Sequence, residues 1–62
     1  MTARQQEVLR YIAAGATNPE IARELGISTE TAKSHVRDIL SALGARSRAH
    51  AVAIAFREGE IE

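Results

Sequence analysis

The helical pattern of this chain breaks at Leu25-Gly26-Ile27-Ser28 and resumes immediately afterwards. Gly26 can adopt the left-handed conformation that ends a helix, and Ser28 is a preferred residue for starting the next one. Two helices joined by so short a turn must cross at a steep angle. One face of the second helix therefore points away from the body of the domain, and a function is expected on that face.

Helix start and stop signals recur along the whole chain, whereas no segment alternates with the period of a strand. They predict four helices, over about residues 3–14, 19–25, 29–43 and 48–57. Thr2 and Gln5 predict a capping box at the first helix, Asn18 is the expected N-cap of the second, and Ser47 is that of the fourth. The sequence predicts one all-α domain over residues 1–62, a four-helix bundle containing a helix-turn-helix, with only the last few residues frayed.

Length and composition exclude several classes of protein. Sixty-two residues make a single domain near the lower limit for independent folding, too small for a deep cofactor cavity. The chain has no cysteine, which excludes disulfides and thiolate metal sites. No apolar run reaches membrane-spanning length and no signal sequence opens the chain. We expect a cytoplasmic protein with no cofactor and no membrane partner.

The charge distribution is uneven although the formal net charge is zero, with eight basic and eight acidic residues. Between residues 31 and 57, five basic residues stand against Asp38 alone: Lys33, Arg37, Arg46, Arg48 and Arg57. A neutral total argues mildly against a nucleic-acid partner. A local basic strip argues for one, because it is the local charge that a phosphate backbone meets.

The third helix has two faces of opposite character. At about 100° per residue, one face is apolar and consists of Ala32, Val36, Ile39, Leu40 and Leu43. The other face carries Ser34, Arg37 and Ser41, with Lys33 beside them. A helix that is packed through its back and presents a polar, partly basic front has the geometry of a recognition helix, which enters the major groove of DNA.

The order of residues along the chain adds a family resemblance. The matching positions are Thr2, Arg4, Glu7, Val8, Leu9, Gly15, Asn18, Glu20, Ile21, Ala22, Leu25, Ile27, Ser28, Thr31, Lys33, His35, Ile39, Leu43, Ser47, Arg48 and Ala51. With them, residues 1 to about 55 resemble the LuxR-type (GerE-like) DNA-binding domain of bacterial transcription regulators. The chain departs from that pattern at Met1, Gln5, Pro19, Ala32 and Ala42, so two lysines of the family, at positions 19 and 42, are missing.

The resemblance implies a function and partners. It implies sequence-specific binding of duplex DNA for transcription regulation, without catalysis, and dimerisation through the fourth helix. Family members usually carry an N-terminal regulatory domain, such as a phosphoryl-accepting receiver or a ligand-binding module. We therefore expect this chain to be either the effector domain of such a response regulator or a stand-alone form.

Specific residues follow from the helix-turn-helix arrangement. Lys33, Ser34 and Arg37 are the predicted base contacts, because Lys and Arg can donate to guanine O6 and N7. The alternative is a solvated helix face without a partner. The predicted phosphate contacts lie at helix starts, near the start of the third helix, or before the fourth helix: Asn18, Thr31, His35, Arg46, Ser47 and Arg48. For Asn18 and Ser47 the alternative is a capping role alone.

His35 and Asp38 are spaced like half of a metal site or a general base. No third ligand or nucleophile lies at a compatible spacing, so we interpret His35 as a partly packed residue that touches a helix or a phosphate. Tyr11 and Phe56, the only aromatic residues, are predicted to lie in the core.

The fourth helix has apolar residues on nearly every side. We assign Ala49, Val52, Ala55 and Phe56 to the core. The opposite side is the predicted dimer interface and consists of His50, Ala53, Ile54 and Arg57. The alternative is that Ile54 is simply an exposed apolar residue without a partner. The rival to DNA binding is a small helical protein-interaction module, whose exposed helix would carry apolar anchors at helical spacing. The front of the third helix carries Ser34, Arg37 and Ser41 instead.

Overall fold

The computed structural model describes residues 1–61 of the chain. Four α-helices follow one another in this part: α1 Ala3–Ala13, α2 Asn18–Leu25, α3 Thr29–Leu43 and α4 Arg48–Arg57. Residues 1–61 contain no strand, which confirms the predicted all-α class. Among these residues no helix is long and apolar enough to cross a membrane.

Each helix begins at a hydroxyl side chain that satisfies a free backbone N–H group. The predicted box at α1 is present: Thr2 Oγ1 accepts from the Gln5 N–H, and the Thr2 N–H donates to Gln5 Oε1. The prediction that Asn18 caps α2 was wrong, because Thr17 does so one residue earlier. Thr17 has a glutamate three residues on, Glu20, and so forms a second reciprocal box that Asn18 could not form.

The predicted turn between α2 and α3 is present. Gly26 ends α2 with φ 67° and ψ 34°, the left-handed conformation that costs glycine little. The Ile27 N–H donates to the Ala22 carbonyl at 3.0 Å, and Ile27 packs against the core. This backbone bond and its apolar contact are those of a Schellman motif. Ser28 then caps α3, so only three residues separate the two helices.

The core lies where α3 meets the other helices, because α3 packs against α1, α2 and α4. Its back is buried as predicted through Ala32, Val36 and Ile39, with Leu40 and Leu43 partly buried beside them. The other helices contribute Val8, Leu9, Ile12, Ile21, Ala22 and Ala55. Tyr11 packs against this cluster while remaining partly exposed, as a tyrosine with a polar tip commonly does.

The predicted faces of α4 were wrong at two large residues. Ile54 is buried at 4% exposure, whereas Phe56 is 51% exposed. The buried stripe is Ala51, Ile54 and Ala55, roughly a third of a turn from the predicted one. The sequence misleads here because α4 is apolar on nearly every side, and two stripes then satisfy the helical spacing equally well.

The end of the chain is packed rather than frayed over residues 58–61. Ile61 is 7% exposed and belongs to the core cluster. The Gln6 side chain donates to Glu60 Oε2 at 3.3 Å, which ties this segment to α1. A frayed end was expected because chain termini are commonly poorly ordered, but Ile61 supplies an apolar anchor to the segment. Glu62 lies outside the described residues.

Candidate nucleic-acid interface

The front of α3 is an accessible polar surface. The side chain of Lys33 is 57% exposed and that of Arg37 is 75% exposed. Ser41 is exposed on the same front, whereas Ser34 is half-buried between the two basic residues. The three predicted base-contact residues therefore lie on adjacent turns of one helix, on the side away from the core.

Both basic residues of this front have a carboxylate neighbour on their own helix. Lys33 Nζ lies 3.5 Å from Glu30 Oε1, and Arg37 Nε lies 3.5 Å from Asp38 Oδ1. Exposed pairs of this kind contribute about 0–1 kcal/mol, because water screens them and ordering two long side chains costs entropy. Either cation can therefore exchange its carboxylate for a stronger acceptor at little cost.

Hydroxyl groups surround the start of α3. Ser28 Oγ accepts from the Thr31 N–H at 3.0 Å and donates to Thr31 Oγ1 at 2.8 Å. Because the Ser28 hydroxyl donates its hydrogen bond to Thr31 Oγ1, the Thr31 hydroxyl can still donate its own proton to an acceptor outside the protein. Thr31 is exposed and His35, one turn later, is half-buried. These two residues can meet an anion at the positive end of the helix.

The loop before α4 is held by the first turn of that helix. Ser47 Oγ accepts from the His50 N–H at 3.1 Å, which confirms Ser47 as the cap. His50 Nδ1 in turn accepts from the Arg46 N–H at 3.0 Å. The Arg46 side chain is exposed, and among residues 1–61 no carboxylate pairs with it. Arg46 is thus a cation on a fixed loop.

Asn18 and Arg48, both predicted to contact phosphate, contact each other. Arg48 Nη2 donates to Asn18 Oδ1, and Arg48 Nη1 donates to the Ala16 carbonyl at 3.3 Å. Sequence reasoning missed this pairing, since the two residues are 30 positions apart and no periodicity links them. It brings the start of α4 to the start of α2.

The start of α2 also carries a carboxylate. The Thr17 backbone N–H and then the Thr17 hydroxyl hold the pKa of Glu20 below its ordinary value, since both stabilise the ionised form. Nearby Arg23 lowers this pKa further. Ionisation of Glu20 therefore strengthens the box at Thr17.

The outer side of α4 is apolar at its centre. Ala49, Ala53 and Phe56 are exposed and lie four and then three residues apart, which places them on one face, here called the outer stripe. Of the predicted interface residues, Ala53 and Arg57 are exposed and His50 is half-buried, whereas Ile54 faces the core. Phe56 was missed because it was assigned to the core.

Other candidate sites lie apart from this surface. Among the residues that the structure describes, no three His, Asp or Glu side chains are grouped so as to hold a metal ion. An open cleft of about 610 Å³ lies beside α1, lined by Arg10, Ala13, Gly59, Glu60 and Ile61. None of the predicted DNA-contacting residues lines it.

Comparison with known proteins shows to which family the chain is similar. Residues 1–55 match the family of bacterial regulatory proteins called the luxR family, or GerE. The chain is 44% identical over 61 residues to the HTH-type transcriptional activator RamA of Corynebacterium glutamicum, covering 98% of the chain and 22% of RamA. It is 45% identical over 58 residues to the probable transcriptional regulatory protein NarL of Mycobacterium tuberculosis, covering 94% of the chain and 27% of NarL.

A shorter relative is similar over nearly all of its own length. The chain is 37% identical over 62 residues to the spore germination protein GerE of Bacillus subtilis, covering 100% of the chain and 84% of GerE. The chain thus spans about a quarter of RamA and NarL but most of GerE. The family match and these similarities confirm the resemblance and a non-enzymatic regulatory class: the chain belongs to the luxR (GerE) family of helix-turn-helix bacterial regulatory proteins.

Proposed function

We propose that the chain binds duplex DNA sequence-specifically in transcription regulation, with α3 lying in the major groove. The observation that carries this proposal is the orientation of α3, whose apolar back is packed on the other three helices while its polar front stays accessible. An α-helix fits the major groove, which is about 12 Å wide. The 15 residues of α3 make it about 22 Å long, enough to cross the groove with its front while its back stays packed on the core.

Lys33, Ser34 and Arg37 are the proposed base contacts. They lie in the first turns of α3, where the side chains of recognition helices reach base edges. The two cations suit guanine O6 and N7, and a serine hydroxyl can donate or accept. The ion pairs of Lys33 with Glu30 and of Arg37 with Asp38 are weak, so little free energy is lost when DNA replaces these carboxylates. Charge-assisted hydrogen bonds to the bases then compensate for the removal of water from the two cations.

Phosphate contacts are proposed around this helix. Thr31 lies in the first turn of α3 and His35 one turn after it, and Arg46 and Ser47 lie before α4. Asn18, in the first turn of α2, is the remaining candidate. Contacts of this kind fix the register of a protein on the duplex and carry no sequence information of their own.

We further propose that two copies pair on DNA through the outer stripe of α4, flanked by His50 and Arg57. Small residues at Ala49 and Ala53 allow a second helix to approach closely, and Phe56 supplies the largest exposed apolar surface of the stripe. Buried Ile54 supports the fold instead. A two-fold pair of this kind would match two half-sites in an inverted arrangement.

The chain is proposed to act as the DNA-binding module of a regulator. The relatives that it covers only in part include a nitrate/nitrite response regulator protein homolog of Haemophilus influenzae and the response regulator protein VraR of Staphylococcus aureus. In a protein of that kind, a signal-receiving domain would control access to the front of α3.

A salt titration on a random-sequence duplex tests the DNA proposal. With about three or four phosphates neutralised per subunit, log K should fall with log salt at a slope of roughly −3 per subunit. Arg46→Ala should reduce the steepness by about one, whereas the matched control Arg10→Ala, an exposed arginine beside the α1 cleft, should not change it. A wild-type affinity that does not respond to salt would exclude the proposal and favour a protein partner.

Recognition of a specific DNA sequence is tested by comparing the affinity of each variant for a selected site with its affinity for a scrambled duplex. Lys33→Ala or Arg37→Ala should cost about 1–3 kcal/mol on the selected site and little on the scrambled one. Equal losses on both duplexes would show that α3 is not the element that reads the DNA sequence.

Pairing through α4 is tested by cooperative binding to a duplex with two sites. Ala53→Glu should abolish this cooperativity, whereas Ala3→Glu, at an exposed alanine in the first turn of α1, should leave it intact.

A further inference from the structure

Arg48 connects two helices that are distant in sequence, α4 and α2. Within residues 1–61, the side-chain hydrogen bonds between residues distant in sequence are that of Gln6 with Glu60 and the two that Arg48 donates. Arg48 is the first residue of α4, and its acceptors, Ala16 and Asn18, lie on either side of the α2 cap. Because α2 packs mainly on α3, these bonds are the polar link between α4 and the start of α2.

The chemistry of this link explains why an arginine occupies the position. A cation in the first turn of α4 is disfavoured by the helix dipole, so Arg48 needs acceptors elsewhere. The planar guanidinium can donate to two separate oxygens at fixed angles, which a single ammonium group does poorly. Arg48 is half-buried, so bonds donated by its charge are less screened than those of the exposed pairs on α3.

The link also orients the Asn18 amide. Arginine has no acceptor, so the Asn18 oxygen must face Arg48, and the two amide N–H groups must face elsewhere. Asn18 is the first residue of α2 and is half-buried, so those donors lie at the start of that helix. The guanidinium N–H groups of Arg48 thus point to acceptors within the protein, and the neutral amide N–H groups of Asn18 are left facing outward.

We propose that Arg48 is a positioning residue for DNA binding: it holds the start of α2 and turns the Asn18 amide toward a phosphate, without being the principal phosphate ligand itself. This inference rests on the proposed DNA-binding function. It assigns Arg48 a role different from that of Arg46, the exposed arginine two residues earlier.

The test compares variants of the 62-residue chain on a short random-sequence duplex, at several salt concentrations and at a temperature where circular dichroism shows each variant folded. Arg48→Ala should weaken binding by about tenfold with an unchanged salt slope, since the loss of charge-assisted bonds loosens Asn18 but removes no phosphate contact of a cation. Arg48→Lys should behave like Arg48→Ala. Arg46→Ala should instead reduce the slope.

The Asn18→Asp variant distinguishes an effect on the amide N–H groups of Asn18 from an effect on the stability of the fold. It keeps an oxygen for Arg48 and adds a favourable charge at the start of α2, so the thermal midpoint should be unchanged or raised. It removes the outward N–H donors, so DNA affinity should fall. An Arg48→Ala slope shallower by about 0.9 would overturn the inference in favour of a direct phosphate contact. Unchanged affinity in folded Arg48→Ala would overturn it in favour of a purely structural role.

Failure of the underlying DNA proposal would look different. In that case the wild-type chain itself would show no salt-dependent binding, and Arg46→Ala would have no effect. If Arg48→Ala does not fold, Arg48→Lys and Asn18→Asp decide the question alone: wild-type affinity in both would overturn the inference.

Discussion

Replacing Ile54 by alanine should destabilise the fold far more than replacing Phe56 by alanine. Ile54 is 4% exposed, and an isoleucine truncated in a core costs about 2–5 kcal/mol. A chain of this length has a total stability of only about 3–9 kcal/mol. Phe56 is 51% exposed, so truncating it removes roughly half of the about 1.5–3 kcal/mol that full burial would supply. The sequence-based prediction placed Phe56 in the core and Ile54 on the opposite side of α4, and it therefore implies the larger loss of stability for Phe56→Ala, the reverse of the order expected here.

Urea unfolding followed by circular dichroism measures this order. The protein should be dilute and free of DNA, so that pairing through the outer stripe does not contribute to its stability. Ile54→Ala should lower the urea midpoint severalfold more than Phe56→Ala, with similar m-values in both. In thermal unfolding, each kcal/mol corresponds to about 4–8 °C in a domain of this size. A Phe56→Ala midpoint at or below that of Ile54→Ala would refute the assignment of the two faces of α4.

Three further predictions concern the turn, the front of α3 and the α2 cap. Gly26→Ala should lower stability by about 1–2 kcal/mol in thermal unfolding and Gly26→Asn by less, because an added Cβ meets no atom within 4 Å and only the left-handed backbone is strained. Asp38→Asn should strengthen binding to scrambled DNA in an anisotropy titration, since it removes the carboxylate 3.5 Å from Arg37; unchanged binding would contradict this. Glu20 has a lowered pKa when folded, so its contribution to stability is present above its unfolded pKa of about 4.3 and is lost as the pH falls through the lower folded value. Wild type should therefore be more stable than Glu20→Gln at neutral pH, and the difference in thermal midpoint should disappear in acid.

The local features of the fold could be predicted because they depend on residues three to five positions apart. The Thr2 box, the Gly26 turn and the Ser28 cap each join groups that are only three to five residues apart. The α2 cap was misplaced by one residue because Thr17 and Asn18 are both good caps. The glutamate three residues after Thr17 would have decided between them.

The front of α3 could also be predicted, because its apolar residues follow the helical period without ambiguity. Once Ala32, Val36 and Ile39 face the core, the positions of Lys33 and Arg37 follow from helix geometry. The sequence by itself thus determined the four helices, the short turn and the side of α3 that stays accessible.

Only the tertiary structure decided how α4 is rotated and what Arg48 contacts. A helix that is apolar on nearly every side has no preferred direction until neighbouring helices cover one stripe, and they cover Ile54 rather than Phe56. The bond from Arg48 to Asn18 joins residues 30 positions apart, which come together only after α2 and α4 have both packed on the same core. Short-range preferences fix elements, whereas the rotation of a helix and the partner of a long side chain depend on the surfaces that packing brings together.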